Sequence, residues 1–367
     1  MPGATYYLPR DLHPMAWWVW ALGLATAASR TTNPWLLGLI LAVAGFVVVA
    51  RRGEAPWALA FRMYLYLGAV VVGFRVFFRL VFGGGEGATI VLRLPEIPLP
   101  EWAAGIRLLG DVSAESLLGG FYDGLRLATM VVCLGAANAL ANPKRLLKSM
   151  PPALYEVGTA VVVALSVFPQ LAESVVRVRR ARRLRGGDGR RFHALRAIVI
   201  PVLADALDRS LRLAASMDSR GYGRAGTVDP RRRLATGALM IAGLLGVCVG
   251  VYATLDGSTP RVLAAPMLVL GVVVGLVGFR AAGARVRRTR YRPGRWHLPE
   301  VLVALSGLTV AAALVATSAV DPTDLTPSLM VLSWPALSWT PLAGVLLGAL
   351  PAVLAPPPEP ALGRVPA

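Results

Sequence analysis

Long apolar runs recur along the chain at intervals that fit repeated crossings of a membrane rather than one water-soluble core. Eight are predicted as spans, at roughly residues 15–30, 34–50, 57–82, 116–141, 234–255, 262–280, 299–320 and 331–354. Between the fourth and fifth runs the pattern changes. Pro151-Pro152 opens a stretch in which Val161, Leu165, Phe168, Ala172 and Val175 recur every three or four residues, which predicts an amphipathic helix. Its far end turns basic on every face, through Arg177, Arg179, Arg180, Arg182, Arg183 and Arg185, and Gly186-Gly187 stops it. A second helix is predicted from Phe192 to about Arg220, bent at Pro201, with Leu203, Leu207, Leu211 and Ala214 in one stripe. Asp205/Arg209 and Asp208/Arg212 are acid-before-base i,i+4 pairs, each worth about 0.2–0.5 kcal/mol. Gly221 and Gly223 end this helix.

Composition agrees with the pattern: 56% of the 367 residues are hydrophobic and 16% charged. The net charge of +18 raises the question of nucleic acid, but its distribution answers it. Residues 143–233 hold 19 of the 38 Lys/Arg and 7 of the 20 Asp/Glu, and seven more Arg fall within 280–295. Basic loops between apolar spans are the mark of cytoplasmic loops, not of a nucleic-acid surface. The 83–115 loop is net acidic, through Glu86, Glu96, Glu101, Asp111 and Glu115. Placing the Arg-rich segments inside then puts both termini in the cytoplasm of a multi-pass plasma-membrane protein. The fold class is all-α: a polytopic helical membrane protein of about eight transmembrane helices, with two long amphipathic cytoplasmic helices. Thr89–Leu94 is strand-like and is predicted to form a small external hairpin or cap. The amino terminus shows no small-residue cleavage site, so the first span is expected to be retained.

Candidate chemistry is sparse. His13, His193 and His297 are dispersed, and no metal site is expected. Cys133 and Cys248 lie inside predicted spans as small buried hydrophobes. Gly186-Gly187-Asp188-Gly189 lacks the Lys-Ser/Thr of a phosphate loop and reads as a turn. Snorkelling from span ends, with an Asp123–Arg pair that fixes packing, accounts for Arg62, Arg75, Arg79, Asp123 and Arg126.

Two short signatures remain, Leu184-Arg185-Gly186 and Ser219-Arg220-Gly221. With their context, they resemble the transmembrane T component (EcfT/CbiQ-like) of energy-coupling factor (ECF) transporters. That family carries paired X-Arg-Gly motifs, usually Ala-Arg-Gly, at the ends of two cytoplasmic coupling helices. The first match reads Arg182-Arg183-Leu184-Arg185-Gly186. The second reads Ala214-Ala215-Ser216-Met217-Asp218-Ser219-Arg220-Gly221-Tyr222-Gly223. Leu12-His13-Pro14, Asn33-Pro34, Asn142-Pro143-Lys144-Arg145-Leu146 and Pro201 support the match, which covers about residues 10–255. Leu184 and Ser219 stand where the family usually has Ala.

The resemblance implies an energy-coupling scaffold without catalytic residues of its own. Two ABC-type ATPase subunits would each receive one helix tip, through Arg185 and Gly186 or Arg220 and Gly221. Leu184 and Ser219 complete the motifs, with Arg182, Arg183, Asp218 and Tyr222 in support. ATP and Mg would be used by those partners and no cofactor would be bound by this chain. A membrane-embedded S component would carry the vitamin or metal ion. Attraction to anionic lipid, about 1 kcal/mol per basic residue, explains much of the Arg177–Arg183 run.

On this reading residues 1–142 form an N-terminal bundle of four spans and 143–233 the coupling-helix domain. Residues 234–255 close the family core, 256–354 add C-terminal spans, and 355–367 form a disordered tail. The alternative is a membrane-embedded enzyme acting on lipid-phosphate substrates, with the Arg clusters as phosphate binders. It needs carboxylates such as Asp205, Asp208 and Asp218 to converge.

Overall fold

The computed structural model describes residues 10–53, 59–82, 87–95, 109–184, 191–221, 230–255, 260–283, 294, 296–328 and 334–358. These fall into two compact units. One comprises Met1–Leu146 together with Pro293–Ala367, and the other Leu147–Arg292.

The first unit is built from α1 (Pro14–Ser29), α2 (Pro34–Arg51), α3 (Phe61–Val81), α4 (Ala114–Leu140), the start of α5 (Pro143–Lys148), α10 (Leu298–Val320), α11 (Trp339–Leu347) and α12 (Pro351–Leu354). Three of its helices begin the same way: a polar side chain caps the amide end and proline takes the first helical position, where no N–H is needed. His13 Nδ1 accepts from the Met15 amide at 3.3 Å. Asn33 Oδ1 accepts from Trp35 N at 3.1 Å. Asn142 Oδ1 accepts from Lys144 N, also at 3.1 Å. The X-Pro pairs that support the family resemblance are thus helix starts.

The core of this unit is lined by Trp20, Leu24, Leu36, Ile40, Val47, Val310 and Leu314, all fully buried. Small residues bring the helices together, as expected where lipid removes the ordinary hydrophobic drive between them. A Cβ on Gly23 would run into the backbone of Gly307, so α1 and α10 cross in direct backbone contact. Along α4, Gly124 faces Val72, and Gly120 faces the Arg79 stem of α3. Asn138 donates to the Tyr64 hydroxyl at 2.8 Å nearer the other end. By contrast, α3 buries little besides Phe61 and Gly68.

The predicted eighth span is broken. Between α11 and α12 the chain turns at Gly348–Leu350, because Pro351 has no amide to continue the ladder. The indole N–H of Trp20, itself buried, donates to the Gly348 carbonyl at 3.0 Å and satisfies the acceptor. The segment nevertheless runs the length of α2. Asn33, at the start of α2, donates to Ala336 O at 2.8 Å. Arg51, at its end, donates through Nε and Nη2 to Ala352 O at 2.9 and 2.6 Å. A non-continuous helix is tolerated at membrane depth where protein covers it, as here.

A two-stranded antiparallel ribbon joins α3 to α4: β1 (Ile90–Arg93) pairs with β2 (Asp111–Ser113), so the expected hairpin is present. Of the expected C-terminal tail, residues 359–367 lie outside the described residues.

The second unit contains a 3₁₀ turn (Pro152–Leu154), α6 (Tyr155–Leu184), α7 (Arg191–Ser219), α8 (Pro230–Leu255) and α9 (Arg261–Gly283). In it α8 and α9 form a glycine-packed hairpin: a Cβ on Gly246 would lie 2.8 Å from Gly271 Cα, and one on Gly250 2.6 Å from Leu268 Cα. The large side chains Leu244, Leu245, Tyr252, Leu270 and Leu276 point away from the seam. Among the described helices, α2, α3, α4, α6, α8, α9 and α10 are long and apolar enough to cross a membrane. This chain is a multi-pass, all-α membrane protein. The helix α6 meets that criterion by length and composition, because its first half is nearly uncharged and its run of arginines begins only at Arg177.

Candidate partner-docking helices

The predicted site lies on α6 and α7. Each helix turns one face to the other: Ile198, Val202, Ala206 and Leu213 of α7 are partly covered, while Ile200, Leu203, Leu207 and Leu211 stay open. The stripe read from the sequence is therefore present but uncovered, at 61%, 61% and 60% exposure for the three leucines.

A polar bridge holds the two helices. Asp205 accepts from Ser174 Oγ of α6 at 2.7 Å. It also accepts from Arg209 Nε at 3.2 Å and Nη2 at 3.1 Å, a fork-shaped pairing. Arg177 Nη2 approaches the same carboxylate at 3.8 Å, and Arg209 reaches back to Gln170 Oε1 at 3.3 Å. The Ser174 hydrogen bond first, then those from Arg209, hold the Asp205 carboxyl below its ordinary range, against a smaller desolvation effect. Sequence spacing found the Asp205–Arg209 pair and missed its role between helices. The available signal was Ser174, a small hydroxyl among the apolar and basic residues of α6, and it is 2% exposed. The second expected pair, Asp208/Arg212, does not close to ion-pair distance among the described residues.

At the tip of α7 the helix ends in a well-defined cap. Ser219 Oγ folds back to Ser216 O at 2.9 Å, and the Arg220 amide bonds Met217 O at 3.1 Å. Gly221 adopts φ +76°, with its amide on Asp218 O at 2.9 Å. That left-handed conformation is easy for glycine and costly for residues with a Cβ. Asp218, Ser219 and Arg220 are exposed. Tyr222 lies outside the described residues. On α6, Leu184 is the last helical residue and 89% exposed, and Arg182 and Arg183 lie in the last turn. Arg185 and Gly186 lie outside the described residues, so the tip of α7 is the one that can be described.

A family model described as CbiQ, cobalt transport protein, matches residues 8–230, more than half of the chain. The chain belongs to that family. It is thus a transmembrane component of the EcfT/CbiQ type found in ECF transporters, a family of transport components. No curated protein matches the chain.

The CbiQ match ends where α8 begins, at Pro230, short of the residue 255 expected from the motifs. Everything from α8 onward lies beyond the matched stretch. Even so, α10 to α12 are core elements of the first unit, not an appendage. Glu300, with its side chain 3% exposed, accepts from Arg10 at 3.2 Å and from the His297 amide at 3.1 Å. The Arg10 amide donates to Pro357 O, also at 3.1 Å. Two of the three histidines are thereby accounted for, since His13 caps α1 with its ring 5.6 Å from that of Trp296, and His297 precedes α10.

Proposed function

We propose that this CbiQ-family chain is the energy-coupling scaffold of an ECF-type importer in the cell membrane. In this reading both termini and the α6–α7 pair are cytoplasmic. Two ABC-type ATPase subunits bind and hydrolyse ATP with Mg, while this chain binds no cofactor. Each ATPase receives one helix tip, and the scaffold passes their closing and opening to a membrane-embedded S component that carries a vitamin or metal ion.

The observation that carries this reading is the tip of α7, an exposed arginine followed by a glycine already in the left-handed conformation. Guanidinium is always charged and pairs with carboxylates through two parallel hydrogen bonds, which suits insertion into an acidic groove. The Asp205 bridge supports the reading too, because force applied at a tip moves a helix pair rather than one flexible rod. The open Leu203–Leu207–Leu211 stripe gives the pair an apolar face to set against the S component. The rival reading, an enzyme acting on lipid phosphates, needs its carboxylates free. Asp205 is instead engaged between Ser174 and Arg209.

The test is the double charge reversal Arg185→Glu with Arg220→Glu. Both ATPase subunits are expected to drop out of the purified complex while the variant still inserts in the membrane. Desolvating such pairs makes the loss of one partner cost about 2–5 kcal/mol. A complex that stays intact and retains full uptake would exclude the scaffold role for these tips.

A further inference from the structure

Where α1 and α10 end and α2 begins, the first unit holds a polar pocket of about 290 Å³. That is close to the small end of ligand-sized sites, about 300–1,000 Å³. Tryptophan marks its depth. Trp35, in the first turn of α2, is exposed, and so is Trp334, two residues before the Ala336 carbonyl that Asn33 holds. Exposed indoles gathered at one end of a helical bundle sit at the level of lipid headgroups. The pocket lies at that level, because α2 and α10 are both of spanning length and it is walled by the residues around their ends.

Its polar groups divide into two kinds. Ser29, Thr31, Ser318 and Thr326 have already given their hydroxyl protons to main-chain carbonyls, those of Thr26 at 2.7 Å, Leu325 at 2.8 Å, Val315 at 2.7 Å and Pro322 at 2.8 Å. They have lone pairs to offer and no proton. The guanidiniums of Arg30 and Arg126 are the reverse. Arg126 spends one N–H on the Ser29 carbonyl, which carries it from α4 to the end of α1. Arg30 is exposed and its side chain has no partner among the described residues. Neither arginine has a carboxylate partner there. Asp321 is near in sequence, but its Oδ1 accepts from the amide and the hydroxyl of Thr323 in its own turn.

These groups define what the pocket takes up. Guanidinium N–H groups with no carboxylate beside them call for an anion, and two of them on different helices call for one with acceptor oxygens in several directions. A carboxylate has two coplanar oxygens and is matched by a single arginine fork. A tetrahedral phosphate oxyanion can bridge both. The spent hydroxyls suit a ligand that brings O–H donors of its own, whereas a choline or ethanolamine head would set a cation against Arg30 and Arg126. At headgroup depth these demands are met by an anionic glycerophospholipid. For its acyl chains, Leu22 follows Thr26 and Ser29 down α1 and Val315 follows Ser318 down α10, both apolar and exposed.

We propose that this pocket binds the phosphate of an anionic phospholipid with a hydroxyl-bearing headgroup, held between Arg30 and Arg126. The site uses none of the residues of the α6 and α7 tips, and it stands whether or not those tips dock ATPases.

Photocrosslinking in nanodiscs of equal phosphatidylglycerol and phosphatidylcholine tests it on the full chain. Benzoylphenylalanine replaces Leu22, below the pocket, or Leu270 on α9 as a control, and mass spectrometry reads which lipid each has captured. The Leu22 probe is expected to capture phosphatidylglycerol about tenfold over phosphatidylcholine, the worth of one charge-assisted hydrogen bond, while the Leu270 probe follows the bulk mixture. Arg30→Gln should return the Leu22 ratio to the bulk value, and it removes an exposed side chain without disturbing packing. Arg52→Gln removes the same charge at the other end of α2 and should leave the ratio as it was.

Binding of radiolabelled inorganic phosphate or succinate to the detergent-purified chain separates the sources. Enrichment at Leu22 that depends on Arg30 supports the proposal whether or not free phosphate binds. A bulk ratio at Leu22 with Arg30-dependent retention of phosphate would overturn the lipid assignment and make the pocket a free-phosphate site. A bulk ratio with no retained phosphate, enrichment that survives Arg30→Gln, or succinate held as well as phosphate would overturn the site itself. None of these outcomes bears on the helix tips, so failure here leaves the scaffold reading standing.

Discussion

Gly221 offers a way to separate the shape of the α7 tip from its charge. Its φ of +76° lies in the left-handed region, and a Cβ built on it meets nothing within 4 Å. A Gly221→Ala change therefore introduces no clash and removes no contact. Its whole effect is conformational, about 1–2 kcal/mol for holding a residue with a Cβ in that region. If the tip must keep this turn to enter its groove, the competent population falls by a factor of about 5–30 and the apparent affinity falls with it. Gly221→Asn should lose much less, because asparagine visits the left-handed region more readily. The assay is titration of purified ATPase subunits onto the protein in nanodiscs, with Arg220→Lys as a charge-preserving comparison. Wild-type affinity for Gly221→Ala, or an Asn variant weaker than the Ala variant, would refute the idea that the turn is needed for docking.

Two further outcomes follow from the packing. Trp20→Phe keeps an aromatic ring but leaves the Gly348 carbonyl without its donor, so stability should fall by about 1–3 kcal/mol, read as a lower thermal unfolding midpoint in detergent. An unchanged midpoint would mean that the broken span does not depend on the indole. Asp205 sets the acid limit of the α6–α7 pair: because its bonded state holds the carboxyl below the ordinary 3.8, its contribution is complete above that pH and is lost as pH falls through the lower folded value. Spin labels on Ala172 and Leu203 should report separation of the helices on acidification, and Asp205→Asn should abolish the acid step. A step that survives in the Asn variant would place the sensitivity elsewhere.

The carboxy-terminal helices alter how this member of the family is to be pictured. They lie beyond the matched residues 8–230, yet the Trp20, Asn33 and Arg51 side chains of α1, α2 and the connection between them are bonded to them. Truncating the chain after α9 would therefore expose buried surface on α1 and α2.

Local chemistry settled a good deal without any coordinates. The apolar runs located α1 to α4 and α8 to α10 to within a few residues, since a span must be long, apolar and internally hydrogen-bonded. The pairs His13-Pro14, Asn33-Pro34 and Asn142-Pro143 entered the reading only as family matches, yet their role as helix starts is equally local, because capping and the missing proline amide act within one turn. The Ser219-Arg220-Gly221 motif was legible for the same reason: glycine at that place is a statement about local φ. What acts across the chain was not legible. Nothing in the spacing of residues 331–354 shows that Trp20, more than three hundred residues earlier, will hold the break before Pro351. The pairing of Asp205 with Ser174 joins two helices whose crossing point depends on their relative rotation, and periodicity leaves that open. Which apolar stripe is covered and which stays open, on α7 and on α3 alike, was decided only by tertiary packing, because amphipathicity marks a face without naming its partner.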